Sequence, residues 1–148
     1  ALAQDELGNT ALHAAAQFAF GAEDALAAMR MFDRLLDAGA PIDATNRDAQ
    51  TPLLLLLGAR AEAGTRSPNR ELGELATRLI NRGADLDAQD RRGVSVLHAA
   101  AMHGMRDIAE RLLKAGADPR RRDTLARTAH EIAVLLGYVD LAAMLKRD

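Results

Sequence analysis

The sequence predicts an all-α solenoid of stacked helix-turn-helix units joined by extended hairpin-like loops. Three observations lead there. Hydrophobic residues make up 49% of the chain but aromatic ones only 3%, so the core must be built from Leu, Ala, Ile, Val and Met. Such a core favours closely packed helices over a β-sandwich, whose strands prefer aromatic and β-branched residues. A fixed order of features also recurs in the 148 residues: a hydroxyl residue, an apolar run, a second apolar run, and a Gly-containing polar loop, three times in full and a fourth time as far as the second apolar run. No single copy could bury its apolar faces alone, whereas stacked copies make one continuous core.

The length suits one domain, residues 1–148. There is no Cys, so disulfides and thiolate metal sites are excluded. The longest nearly pure apolar run, Leu53 to Leu57, is far below the roughly 18 residues a membrane helix needs, so no membrane insertion is expected. The opening ALAQDELG lacks both a secretory pattern and an initiator Met, which suggests a processed chain or a fragment. The expected setting is a soluble one, either cytoplasmic or, for a delivered protein, a host cytoplasm.

Each element has a local reason. Thr10, Thr51, Ser95 and Thr128 precede the first apolar run of each copy, where a hydroxyl caps free N–H groups. Pro52 follows Thr51 and suits the first helical position. The small Ala14–Ala16 and Ala99–Ala101 let neighbouring helices approach closely. Gly104 and Gly137 close first helices, and Gly39, Gly83 and Gly116 close second helices. The caps are spaced 41, 44 and 33 residues apart, so the first two copies carry 8 and 11 residues beyond a period of about 33. Both additions fall between the two helices of a copy. Gly21 to Gly39 reads as a second helix extended at its N-terminal end. In the second copy Gly64 to Ser67 reads as a loop, with Ser67 as cap and Pro68 at the first helical position. The two enlarged connections would stand side by side as a raised wall, with Phe18 and Phe20 packed at the root of the first.

DELGNTALHAAA with RLLDAGAPIDA, NRDAQTPLLLLL with RLINRGADLDAQD, DRRGVSVLHAAAMHGMRDIAERLLKAGADPRRRD, and DTLARTAHEIAVLLGYVDLAAMLKRD together resemble the ankyrin repeat. That family opens with D-x-x-G-x-T-P-L-H-x-A-A-x-x-G and closes with L-L-x-x-G-A-D. The resemblance covers essentially the whole chain, with repeats at approximately 5–45, 46–89, 90–122 and 123–148. It implies an ankyrin-repeat solenoid in which His13 and His98 hydrogen-bond the capping hydroxyl and loop backbone. His98 and His103 are five apart, which does not make a metal pair on one helix face. His103, at the end of a first helix, reads equally as partner-facing or as a solvated surface side chain. His130 and Glu131 stand in place of the Leu and His of the motif, as suits an atypical terminal copy.

No phosphate-cradling loop, nucleophile motif or metal-ligand cluster appears, so a non-enzymatic binding module is expected, with no cofactor, metal or catalytic residue. The resemblance implies a protein partner, its identity unknown, contacted by loop tips and first-helix ends on a concave face. On the matching positions these are Glu6, Leu7, Asn9, Gln17 and Phe18; Arg47, Asp48 and Gln50; Arg91, Arg92, Val94, Met102 and His103; and Thr124, Leu125, Arg127, Leu135 and Leu136. A monomer is expected. The alternative is a regulatory or targeting segment of a larger protein, of a bacterial effector type.

Charge is uneven. Residues 1–89 carry 8 Arg and 13 acids, while residues 90–148 carry 11 basic residues and 8 acids. Arg91, Arg92, Arg120, Arg121, Arg122 and Arg127 fall in or beside loops that stacking would gather into a basic edge. The whole chain has a net charge of −2, which disfavours a dedicated nucleic-acid binder and leaves two readings, a merely solvated Arg-rich edge and a surface for an acidic protein partner. The dominance of Arg over Lys, 17 to 2, with many alanines, points to a GC-rich bacterial source.

Overall fold

The computed structural model describes Gln4 and residues 8–21, 25–57 and 70–146; for residues 17–21, 25, 26, 28 and 70–72 it describes the backbone alone. The described residues form four helix pairs: α1 (Ala11–Gly21) with α2 (Ala25–Asp37), α3 (Pro52–Leu56) with α4 (Arg70–Asn81), α5 (Val96–Met102) with α6 (Arg106–Lys114), and α7 (Ala129–Leu136) with α8 (Val139–Leu145). First helices pack on first helices and second helices on second helices down the row. No strand occurs among the described residues, so the architecture is the helical solenoid expected. None of the described helices is long and apolar enough to cross a membrane.

The caps work as the sequence requires. Thr51, Ser95 and Thr128 each have extended backbone, and each hydroxyl accepts the N–H three residues on, which satisfies an otherwise orphaned donor. Gly39, Gly83, Gly104, Gly116 and Gly137 all have positive φ. The core between the helix layers is aliphatic: Leu12, Leu53, Leu54, Leu56, Leu75, Leu97, Leu112 and Leu145 are almost wholly buried, with Phe32 the one aromatic among the largest fully buried side chains.

The first insertion differs from expectation. Relative to α5 and α6, which have 7 and 9 residues, α1 has 11 and α2 has 13, and residues 22–24 between them lie outside the described residues. The eight added residues therefore lengthen both helices by about one turn each. In the second copy α4 begins at Arg70 and has 12 residues. The loop at Gly64–Ser67, the Ser67–Pro68 start, the side chains of Phe18 and Phe20, and thus the wall they were expected to support lie outside the described residues.

The joints between copies are not alike. Where the leading first helix carries alanines, α1 against α3 and α5 against α7, the helices approach closely along their length; α3 meets α5 far less. The second copy puts Leu55, Leu56 and Leu57 where the third has Ala99, Ala100 and Ala101, and all six are buried. The bulkier leucines hold α5 farther off. The hairpin turns follow suit. A Cβ on Gly8 would meet the Arg47 backbone nitrogen at 2.9 Å, and one on Gly93 would meet the Asp123 Cα at 2.7 Å. Ala49 and Ala126 occupy the same turn position with φ of 61° and 62°, the first at the wider joint and the second in the last copy.

A left-handed alanine is strained by roughly 1–2 kcal/mol, partly offset because glycine gives the unfolded chain more freedom. Ala49→Gly and Ala126→Gly should therefore each raise the unfolding free energy by about 0.5–1 kcal/mol in urea titration. Gly93→Ala should lower it by more than about 2 kcal/mol, since strain and a backbone clash add.

Candidate functional site

The candidate site is the row of hairpin tips and first-helix ends, and it is held in place by three polar devices. The first closes the tips of the second, third and fourth copies. Asn46 Oδ1 accepts the N–H groups of Asp48 and Gln50, Asp90 Oδ1 those of Arg92 and Val94, and Asp123 Oδ1 those of Leu125 and Arg127. The backbone completes each turn: Asn46 N–H donates to Gln50 O, Asp90 N–H to Val94 O, and Asp123 N–H to Arg127 O. One side-chain oxygen thus fixes a five-residue tip, as Asx turns do.

The second device ties a tip to the next. Arg91 N–H donates to Asp48 O at 3.0 Å, and Thr124 N–H donates to Arg92 O at 2.9 Å. The Gln89 side-chain amide donates to Gly93 O and to Arg122 O, and that of Gln4 donates to Gly8 O and Thr45 O. The third is the imidazole. His98 Nδ1 accepts the Ser95 N–H at 3.2 Å while Nε2 lies 2.8 Å from Arg127 O in the following copy. His13 repeats this with Thr10 N–H at 3.0 Å and Gln50 O at 2.6 Å. A carbonyl only accepts, so Nε2 carries the proton, and Nδ1 must keep its lone pair for the backbone donor. The geometry demands a neutral ring. Burial lowers the His98 pKa below its ordinary value, against the raising influence of the Arg127 carbonyl and of Asp123. The role that resemblance implied for these histidines is the one the structure shows.

Burial sorts the expected contact residues. Arg47, Asp48, Arg91, Arg92, Thr124, Leu125, Leu135 and Leu136 are exposed, and Met102 and Arg127 are partly so. Leu125 and Leu135 are 69% and 70% exposed. Asn9, Gln50, Val94 and His103 are instead buried. Asn9 and Gln50 are taken up by the Asn46 side-chain amide, which donates to both at 2.9 and 3.1 Å. Val94 falls where the tip turns back into the stack, and His103 caps the end of α5 with its backbone N–H on Ala99 O and Ala101 O. Neither the partner-facing nor the solvated reading of His103 fits. Glu6, Leu7 and the side chains of Gln17 and Phe18 lie outside the described residues. Val134 and Val139, 56% and 75% exposed, were missed. Val134 stands where the third copy has the buried Ala101, which the repeat alignment alone would have flagged.

The basic edge is interleaved with acceptors. Arg92 pairs with Asp90 at 3.1 Å, Arg120 with Asp118 at 3.4 Å, Arg121 with Asp87 at 3.6 Å, Arg122 with Glu131 at 3.5 Å and Arg127 with Asp123 at 2.9 Å. Arg91 donates to the Arg47 carbonyl. Burial works to raise the Asp123 pKa, but the Arg127 N–H and guanidinium and the Leu125 N–H outweigh it and hold the carboxyl below its usual range. His130 Nδ1 lies 2.7 Å from Ala142 O, so this ring ties α7 to α8. No group of three or more His, Asp or Glu able to hold a metal ion occurs among the described residues.

The imidazole geometry fixes a pH dependence. With a folded pKa below 6.5, His98 binds its proton more readily when unfolded, so it makes stability fall as pH drops through 6.5 toward the folded pKa. His98→Gln, which cannot titrate, should flatten the loss of unfolding free energy between about pH 7 and 5. It should also cost roughly 1–3 kcal/mol at pH 7 through imperfect replacement of two buried bonds. Urea titrations at several pH values measure both.

Residues 67–148 match the ankyrin repeat family as three copies, and residues 7–47 match a single ankyrin repeat. A Transient receptor potential cation channel subfamily A member 1 homolog of Caenorhabditis elegans is 33% identical over 150 residues, 99% of this chain and 11% of that protein. Neurogenic locus notch homolog protein 1 of Xenopus tropicalis is 32% identical over 144 residues, 97% of this chain and 5% of the relative. An Ankyrin repeat and LEM domain-containing protein 1 homolog of Caenorhabditis elegans is 45% identical over 60 residues, 40% of this chain and 8% of that protein. The chain thus spans about a tenth or less of the length of these relatives. They are animal proteins and lend no support to the bacterial source that composition suggested. The matches span both ends of the row of helix pairs, and the chain belongs to the ankyrin repeat family, whose repeats are protein–protein interaction modules.

Proposed function

We propose that this chain binds a protein partner across its hairpin tips and first-helix ends, without chemistry of its own. The observation that carries the reading is the exposure of Leu125 and Leu135, at 69% and 70%, on a rigid polar frame. One stands at the fourth hairpin tip and the other at the end of α7. Isolated exposed leucines are ordinary, but these occupy the two positions at which the third copy has the exposed Arg92 and the partly exposed Met102. Arg47, Arg91 and Arg92 supply a charged border at the second and third tips. Apolar anchors inside a polar rim are the anatomy of a protein interface.

The pairing of the Arg edge with Asp87, Asp90, Asp118, Asp123 and Glu131 weighs against nucleic acid, because binding there would displace acids as well as counterions. It leaves Arg47, which has no ion pair among the described residues, as the tip cation best placed to meet an acidic side chain. A segment serving a larger protein in a regulatory or targeting role would use the same face. We assign no catalytic residue and no cofactor, and we read the chain as a monomer working in a soluble compartment.

The test is affinity for a partner captured from a lysate of the source organism. Arg47→Ala, Leu125→Ala and Leu135→Ala combined should weaken binding at least tenfold, about 1.4 kcal/mol, with an unchanged unfolding midpoint. Equal affinity of variant and wild type would place the contact elsewhere.

A further inference from the structure

The hairpin tips form a row with a regular step. One backbone bond docks each tip on the tip before it, Arg91 N–H to Asp48 O at 3.0 Å and Thr124 N–H to Arg92 O at 2.9 Å. It recurs at both joints although α3 stands farther from α5 than α5 does from α7, so the tips keep an even spacing. That spacing is about 8–10 Å, the distance at which helices pack. Arg47 and Arg91 hold the same place on neighbouring tips. Both are exposed, and neither has an ion pair among the described residues. Each leans back on the tip before it: Arg91 Nε donates to Arg47 O, and Arg47 Cγ lies 3.3 Å from where a Cβ on Gly8 would stand. The two guanidinium groups thus follow the step of the row.

The next tip changes character. It carries Thr124 and Leu125, both exposed. From the second tip to the fourth the row therefore reads cation, cation, leucine. Asp48 is the one exposed acid on these three tips, and it is itself partnered. The backbone of the row is already in use: the N–H groups of Asp48, Arg91, Arg92, Thr124 and Leu125 all donate within it. An added β-strand finds no run of free donors to pair with. Recognition along the tips must run through side chains.

We propose that this row, taken as the binding face, receives a linear acidic segment of the partner in polyproline II form. Two of its carboxylates, three residues apart, meet Arg47 and Arg91, and an aliphatic side chain three residues further on meets Leu125. Polyproline II has three residues per turn and a rise of about 3.1 Å, so side chains i, i+3 and i+6 share a face at intervals of about 9.3 Å. That interval matches the step of the tips. A β-strand puts same-face side chains about 6.6 or 13 Å apart and misses it. An α-helix meets it at every seventh residue, about 10.5 Å, so three contacts would take about fifteen helical residues against about seven extended ones. Unfolded chains already populate polyproline II, which keeps the ordering cost of binding small. Carboxylate on guanidinium supplies the stronger contacts.

Fluorescein-labelled synthetic peptides test the period against the full chain by fluorescence anisotropy. Each carries two glutamates and a leucine, set two, three or four residues apart by proline and serine, with the leucine at either end. In one of the two orders, three-residue spacing should bind at least about fivefold tighter than the other spacings. Arg91→Ala, with an unchanged thermal midpoint, should remove that advantage. Glutamine for the middle glutamate should weaken binding to the wild type about fivefold and to Arg91→Ala no further. Arg47→Ala with the outer glutamate gives a second, independent cycle with the same expected result. Equal binding at all spacings, an advantage that survives both arginine variants, or no binding of any peptide would overturn the proposal. So would tighter binding of a helical peptide with the three side chains seven residues apart. Spacing-blind binding that still falls with Arg47→Ala and Leu125→Ala would remove the period and leave the tips as the binding face; a captured partner indifferent to those variants would remove that face as well.

Discussion

The hydrogen bond from an imidazole in one copy to a loop carbonyl in the next organises this molecule. It fixes three things at once. The ring's Nδ1 completes the cap of its own helix, its Nε2 proton pins the following hairpin, and its burial between the two disfavours the charged form. The hairpin it grips is itself held in shape, because one Asx oxygen closes its tip, Asn46 Oδ1 in one and Asp123 Oδ1 in the other. The tips therefore stand at set spacings and heights, and the exposed side chains they carry are presented by a frame rather than by a mobile loop. Recognition by such a surface needs little ordering at the moment of binding.

The tie is not repeated at every joint, and its omission is consistent with the packing around it. The second copy has Leu54 in the place of His13 and His98, so no imidazole bridges it to the third. It also has Ala49 where Gly8 and Gly93 stand, and leucines where the alanines of α1 and α5 stand. All three changes are bulkier or apolar, and all three suit a joint at which α3 and α5 stay farther apart. The loss of a polar tie is offset by apolar burial, since Leu53 to Leu57 are all at most 3% exposed. The polar contacts at that joint lie in its loops and on its outer side: Arg91 N–H on Asp48 O, Gln89 on Gly93 O and Arg122 O, Arg121 and the Asp118 N–H on Asp87, and Arg111 on Thr77. The solenoid is thus two latched pairs joined by a greasier seam.

Much of this was legible beforehand, for physical reasons. Hydroxyl caps, closing glycines and the alanine run each obey local rules that hold whatever the surroundings. The family's His-to-backbone contact carried over because His13 and His98 keep both the capping hydroxyl and the following loop. What escaped depended on neighbours. His103 looked like a surface residue because helix ends usually are, yet it is buried. Gln50 and Asn9 read as tip side chains, but the Asn46 amide, in a position usually held by Asp, has donors that draw both inward. The division of the first insertion between α1 and α2 was hidden because sequence gave the number of added residues and no boundary between helices. The arginine edge was counted by charge alone, and charge counting does not show which acids lie within reach.

The account rests on the claim that His98 couples the third copy to the fourth through the hairpin at Asp123. Native-state hydrogen exchange of His98→Ala against wild type tests it amide by amide. The account predicts that the N–H groups of Asp123, Thr124 and Ala126, which close that hairpin and dock it, exchange at least about tenfold faster. Those of Asn46 and Ala49, in the hairpin held by His13, should keep their protection. An equal loss at both hairpins, or none at either, would contradict the account.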